Sequence, residues 1–138
     1  MNIELNRIND AVHLKAESED GHTVDMDGSP EIGGEGLGTR PMQLLLMSLA
    51  GCSSMDICSM LNKQRQQLDE YRVTVEAERD TEQTPAVFKK IHLVFHLKGQ
   101  LDENKVQRAL ELSIRKYCSV ARMLEKTADI TYNYKINQ

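Results

Sequence analysis

Arg40-Pro41-Met42-Gln43-Leu44-Leu45-Leu46-Met47-Ser48-Leu49-Ala50-Gly51-Cys52 opens the most apolar part of the chain. Reading it as a helix decides the fold. Thr39 offers an N-cap, and Pro41 falls in the first turn, where its missing N–H costs nothing, so a helix is expected to start near residue 40. The pattern runs on to about Leu68. Its first half is apolar on nearly all sides, whereas Asn62-Lys63-Gln64-Arg65-Gln66-Gln67 is polar, so the helix is expected to enter the core and leave it towards solvent, with Cys52 in the buried half. Gln43, Ser48, Ser53, Ser54 and Asp56 interrupt the apolar run from Met42 to Ile57. It falls short of the roughly 20 apolar residues a bilayer requires, reads as a buried core helix, and predicts no membrane.

Upstream, Ile3 to Ile8, Val12 to Ala16 and His22 to Met26 alternate polar and apolar residues between Asn9-Asp10 and Glu19-Asp20-Gly21 turn signals, the pattern of a short antiparallel meander. Asp27-Gly28-Ser29-Pro30 and Gly33-Gly34-Glu35-Gly36-Leu37-Gly38 then predict an irregular loop, read as a flexible lid. It lacks the Gly-Lys-Ser/Thr ending of a phosphate-binding loop. Downstream, Tyr71, Val73, Val75 and Ala77 alternate with Arg72, Thr74, Glu76 and Glu78, and Ile91, Leu93, Phe95 and Leu97 alternate with His92, Val94 and His96, which gives two long strands joined through Thr81 to Pro85. Leu101-Asp102-Glu103 caps a second helix marked by Val106, Ala109, Leu110, Ser113, Ile114 and Tyr117. The pattern breaks near Cys118 and resumes as a short helix from Val120 to Glu125. Ile130, Tyr132, Tyr134 and Ile136 close it as a strand. The order is α+β with mostly antiparallel sheets, in one domain over residues 1–138.

Composition excludes several classes of function. The 138 residues, 40% hydrophobic, suffice for one core, and the net charge of −4 comes without a basic stripe, so nucleic acid is not expected as a partner. The amino terminus has no continuous apolar segment, which makes the cytoplasm the default compartment. Three cysteines in a reducing compartment argue against a disulfide framework and leave catalysis, metal binding or inert burial.

Cys52 and Cys58 are separated on one helix by about 9 Å of rise and roughly 240° of rotation, so they cannot form a disulfide without unwinding it. Cys58 reads as a small buried hydrophobe. Gly51 beside Cys52 costs the helix about 1 kcal/mol relative to alanine, which suggests that a neighbouring helix or a ligand approaches the backbone there. Cys118 lies at the start of the short helix among Arg115, Lys116 and Arg122. Dipole and charge then mark it as the more easily ionised thiol. Asp56, four residues after Cys52, would raise a thiol pKa if unpaired. His92 and His96 share a strand face about 13 Å apart and cannot grip one metal together. Neither a metal nor a cofactor is expected. Met42, Met47, Met55 and Met60 suit core or dimer-interface packing, and pliable Met surfaces also suit apolar ligands.

The glycine loop, the proline-led helix ending in Ser48-Leu49-Ala50-Gly51-Cys52, and Tyr117-Cys118-Ser119-Val120, 66 positions beyond Cys52, resemble the OsmC/Ohr family of osmotically inducible and organic-hydroperoxide-resistance proteins. The element order fits that family over essentially the whole chain. The resemblance implies antiparallel sheets packed around a long central helix, an intertwined homodimer, and two active sites at the subunit interface. It also implies that Cys52 attacks an organic hydroperoxide, that Cys118 resolves the sulfenic acid as a disulfide, and that an external dithiol reductant restores the pair. The family's hydroperoxide reductases place a glutamate ten residues before the helix cysteine and an arginine in the N-terminal strands. Here Met42 holds the first position, and Ala16-Glu17-Ser18-Glu19-Asp20-Gly21 carries no cation, so the chain resembles the OsmC-like branch. Two functions stay open: a thiol-dependent peroxidase, or a non-catalytic module that binds small apolar molecules or senses oxidants.

Overall fold

The computed structural model describes all 138 residues. It divides into two compact units, residues 1–47 and residues 48–138.

Three strands form the first sheet, β1 (Ile3–Arg7), β2 (Leu14–Ser18) and β3 (Thr23–Met26), antiparallel in the order β1-β2-β3. The expected meander is present, but β2 begins at Leu14 rather than Val12. The Asn9 side-chain oxygen accepts the Ala11 and His13 amides at 3.0 and 3.1 Å, which folds the preceding residues into a turn. The glycine-rich loop is also more organised than a free lid. Pro30–Ile32 forms a single 3₁₀ turn, ended by Gly33 at φ 91°. The buried Asp27 carboxylate accepts the amides of Gly28, Glu35 and Leu37 at 2.7, 3.1 and 3.1 Å. The Leu37 amide above all, then those of Glu35 and Gly28, hold this carboxyl below its ordinary range against the opposing effect of burial.

Helix α1 spans Pro41–Lys63. Its N-cap is Arg40 rather than Thr39: the Arg40 carbonyl accepts the first helical amide, from Leu44, at 3.0 Å. The Gln43 side chain reaches back to accept the Arg40 amide at 3.0 Å, which is the reciprocal half of a capping box. The helix stops at Lys63, short of Leu68, because Arg65 turns left-handed at φ 56°. The Arg65 amide then bonds the Asn62 carbonyl and the Gln66 amide bonds the Leu61 carbonyl, a Schellman ending without the usual glycine.

The second sheet consists of β4 (Gln67–Arg79), β5 (Phe88–Gln100) and β6 (Asp129–Ile136), in the order β4-β5-β6. The β4–β5 pair is an antiparallel hairpin, and the β5–β6 pair is parallel. Parallel pairing needs a crossover, which α2 (Glu103–Leu112) and α3 (Ser119–Leu124) supply. Alternate residues Ile91, Leu93, Phe95 and Leu97 of β5 are buried. With Val106 and Leu110 of α2 they make the centre of this unit's core. Helix α1 contributes only one stripe, Leu49, Ser53, Ile57 and Leu61, at the four-residue spacing of one helix face. It is therefore not buried on all sides, since Met47 and Met55 are exposed. By length and composition α1 is apolar enough to cross a membrane, contrary to the sequence expectation, and its stripe is packed inside the protein. Nor does anything fill the space at Gly51, where an added Cβ would meet no atom within 4 Å.

Candidate thiol site

Helix α2 starts where the Asp102 carboxylate accepts the Lys105 amide at 3.2 Å. At Ser113 the winding widens into one π turn, Ser113–Tyr117. There the Cys118 amide bonds the carbonyl of Ser113, five residues back, at 2.8 Å. Cys118 itself is extended (φ −71°, ψ 109°), which ends the turn and makes it the N-cap of α3. Its sulfur accepts the Ala121 amide at 3.4 Å. The side chain is 2% exposed and lies close enough to the thiol of the half-buried Cys52 to interact with it electrostatically. Two sulfurs far apart in sequence thus meet.

Burial raises the Cys118 pKa against the pull of the Ala121 amide, and the neighbouring Cys52 thiol raises it further, to about 11. This overturns the expectation that Cys118 ionises readily. The three cations on which that expectation rested are engaged elsewhere. The Arg115 guanidinium lies 5.9 Å from the centre of the Tyr132 ring, and the Lys116 ammonium 5.3 Å from that of Tyr117. Arg122 pairs with Glu125 at 3.2 Å. Helix α3, six residues long, is too short to build a strong dipole.

Asp56 is partnered, since the Ser113 hydroxyl stands 3.2 Å from its Oδ2 and 3.1 Å from the Ser53 carbonyl oxygen. Tyr71 of β4 donates to the Ser54 hydroxyl at 2.8 Å, and burial raises its pKa strongly. Cys58 is half-buried rather than buried, and burial raises its thiol pKa as well. The histidines stay apart: His92 Nδ1 lies 2.7 Å from the Thr131 hydroxyl. His96 is held below its ordinary pKa first by burial and then by Arg72 and Lys135. No three His, Cys, Asp or Glu side chains converge as a metal cage. Ser113 has no signature in the sequence beyond a polar residue at a helical core position, because the widened turn that gives it a role leaves no residue pattern.

The profile of the OsmC-like protein family matches residues 33–133. Protein YhfA of Escherichia coli (strain K12) is 41% identical over 121 residues, which cover 87% of each chain. A hypothetical protein from Aquifex aeolicus VF5 superposes with a TM-score of 0.80 at 27% identity, covering 99% of this chain and 97% of that one. An organic hydroperoxide resistance protein OsmC from Legionella pneumophila superposes at 0.68 and 20% identity, covering 98% and 97%. These matches span both cysteines and the elements that carry them, and the chain belongs to the OsmC/Ohr family of OsmC-like proteins.

Proposed function

We propose that this chain is a thiol-dependent redox protein that reduces organic hydroperoxides through Cys52 and Cys118. The observation that carries the reading is that the Cys52 and Cys118 thiols, 66 residues apart in sequence, are neighbours that interact. A thiol with its pKa pushed to about 11 keeps its proton at neutral pH, which accords with the resolving role that the family resemblance gives Cys118 and the attacking role it gives Cys52. The Cys52 thiolate attacks the distal oxygen of ROOH, the O–O bond breaks, and alkoxide leaves to be protonated as alcohol. Cys52 is now a sulfenic acid. The Cys118 sulfur attacks the Cys52 sulfur as its own S–H bond breaks, the Cys52 S–O bond breaks, and the Cys118 proton passes to the departing hydroxide, which leaves as water. An external dithiol then reduces the disulfide by exchange. The chain acts as a single domain in a cytoplasmic homodimer, in keeping with three free thiols in a reducing compartment and with the exposed Met47 and Met55 of α1.

The test is consumption of tert-butyl hydroperoxide with dithiothreitol by the wild type and by Cys52→Ser. Consumption by the wild type no faster than by the variant rejects the enzymatic reading. Mass spectrometry after one equivalent of peroxide should find an intact Cys52–Cys118 disulfide, and its absence removes the resolving role. Sedimentation should give a dimer. A second reading, a module that binds small apolar molecules or senses oxidants, draws on Met42 at the family's glutamate position and on the open space beside Gly51, next to Cys52. Under that reading, peroxide is not turned over.

A further inference from the structure

We infer that Ser113 is a positioning residue that holds the Cys118 segment to the Cys52 segment, with Asp56 as the acceptor that fixes its hydroxyl. Ser113 is fully buried. Its carbonyl accepts the Cys118 amide at 2.8 Å, while its hydroxyl is shared between the Ser53 carbonyl at 3.1 Å and Asp56 Oδ2 at 3.2 Å. Ser53 directly follows Cys52, and Asp56 lies one turn further along α1. One residue therefore grips the backbone at Cys118 with one end and the backbone beside Cys52 with the other.

Two features of this grip call for an explanation beyond packing. A buried hydroxyl is costly unless it is bonded, and the buried residues around Ser113 on its own chain segment, Ala109, Leu110 and Ile114, are all apolar. A serine here therefore does what an alanine would not. The π turn is the second feature. Regular α-helical winding would bond the Cys118 amide to Ile114 and set Cys118 about 100° elsewhere around the axis. The extra residue re-aims it, and wide turns of this kind are rare and occur mostly as single bulges within α-helices. The hydroxyl bonds sit at the first residue of that turn, where they set its position against α1.

The inference rests on the reading of Cys52 and Cys118 as a working redox pair, and it has a consequence independent of the oxidant. Holding two thiols together raises their effective concentration and so favours the disulfide. In a dithiothreitol redox buffer, Ser113→Ala should lower the equilibrium constant for the Cys52–Cys118 disulfide at least tenfold, equivalent to a rise of about 30 mV in potential. Asp56→Ala should act in the same direction. Asp56→Asn keeps an acceptor oxygen without the charge, so it should retain the wild-type potential. With one equivalent of tert-butyl hydroperoxide, dimedone should trap more Cys52 sulfenic acid in Ser113→Ala than in the wild type, while the rate of Cys52 oxidation stays within about threefold.

A wild-type potential in Ser113→Ala overturns the inference. So does Asp56→Asn behaving like Asp56→Ala, which would assign the effect to charge. If Ser113→Ala does not fold, the two Asp56 variants decide the matter alone, since that side chain is only half-buried. If the potentials shift as stated but peroxide oxidises no form of the protein, the inference stands and the peroxidase reading falls.

Discussion

Raising the pH should remove the stabilisation that the fold draws from keeping the Cys118 thiol protonated. Burial raises its folded pKa to about 11, above the ordinary value near 9 that it takes when unfolded. The folded state thus holds this proton more tightly than the unfolded chain does. The resulting stabilisation is fully present below pH 9 and is lost as pH rises through 11. A gap of about 2 units at roughly 1.4 kcal/mol each, half-titrated at its upper end, gives about 2 kcal/mol by pH 11. Screening through the half-exposed Cys52 side reduces this to about 1–2 kcal/mol. The assay is urea denaturation of the wild type and Cys118→Ala at pH 8 and at pH 10.5–11. Tyr71 and Tyr132, the latter raised to about 12 chiefly by burial, also destabilise the fold in alkali, but both proteins share them and subtraction removes their effect. The wild-type advantage over the variant should shrink by about 1–2 kcal/mol across that range. An advantage that is independent of pH would show that the thiol is not held neutral by the fold, and the reasoning about roles in the pair would fall with it.

Ile57 is fully buried in the single packed stripe of α1, so Ile57→Ala should cost about 2–5 kcal/mol in urea denaturation, whereas Met123→Ala, at a site 75% exposed, should stay within about 0.5 kcal/mol. Gly51→Ala should stabilise the protein by about 0.5–1 kcal/mol, because the new methyl group enters open space in a helix interior. A loss in thermal unfolding would mean that a partner or ligand occupies that space. Asp27→Asn should speed amide exchange at Glu35 and Leu37, which bond its Oδ2. In the wild type the same protection should be present above the ordinary carboxylate range and lost as pH falls through the lowered Asp27 pKa, as hydrogen exchange by NMR would show.

The elements were legible because their periodicities are clean. The two-residue alternation of β5 and the helical spacing of Val106, Ala109 and Leu110 each point to one structure. The end of α1 was not legible, since the polar run after Leu61 contains no glycine, and only the left-handed backbone of Arg65 stops the helix before Leu68. The parallel β5–β6 pairing is a matter of topology that no strand pattern encodes. At the site, both cysteines could be named from the sequence, but their ionisation could not. Arg115, Lys116 and Arg122 are near Cys118 in sequence, yet ring faces and Glu125 take up their charges. Proximity in sequence is a poor guide to proximity of charge.

A pair of thiols can be tuned by charge or by geometry, and in this chain the charges that sequence proximity suggested are engaged elsewhere. The family resemblance sets Met42 where hydroperoxide reductases are expected to carry a glutamate, and the cations beside Cys118 face other partners. What remains around the sulfurs is burial, a helix-cap amide and a widened turn pinned by the Ser113 hydroxyl. Burial and the cap amide act on Cys118, and the Ser113 hydroxyl ties its segment to that of Cys52, which under the proposed function suits a thiol that must wait. A resolving sulfur that ionised early would compete for the oxidant, whereas one kept neutral and near reacts mainly after its neighbour has become electrophilic. On this argument the activity of the pair depends less on how acidic Cys118 is than on how firmly Ser113 holds it, so substitutions at Ser113 and Asp56 should matter more than substitutions at Arg115, Lys116 or Arg122.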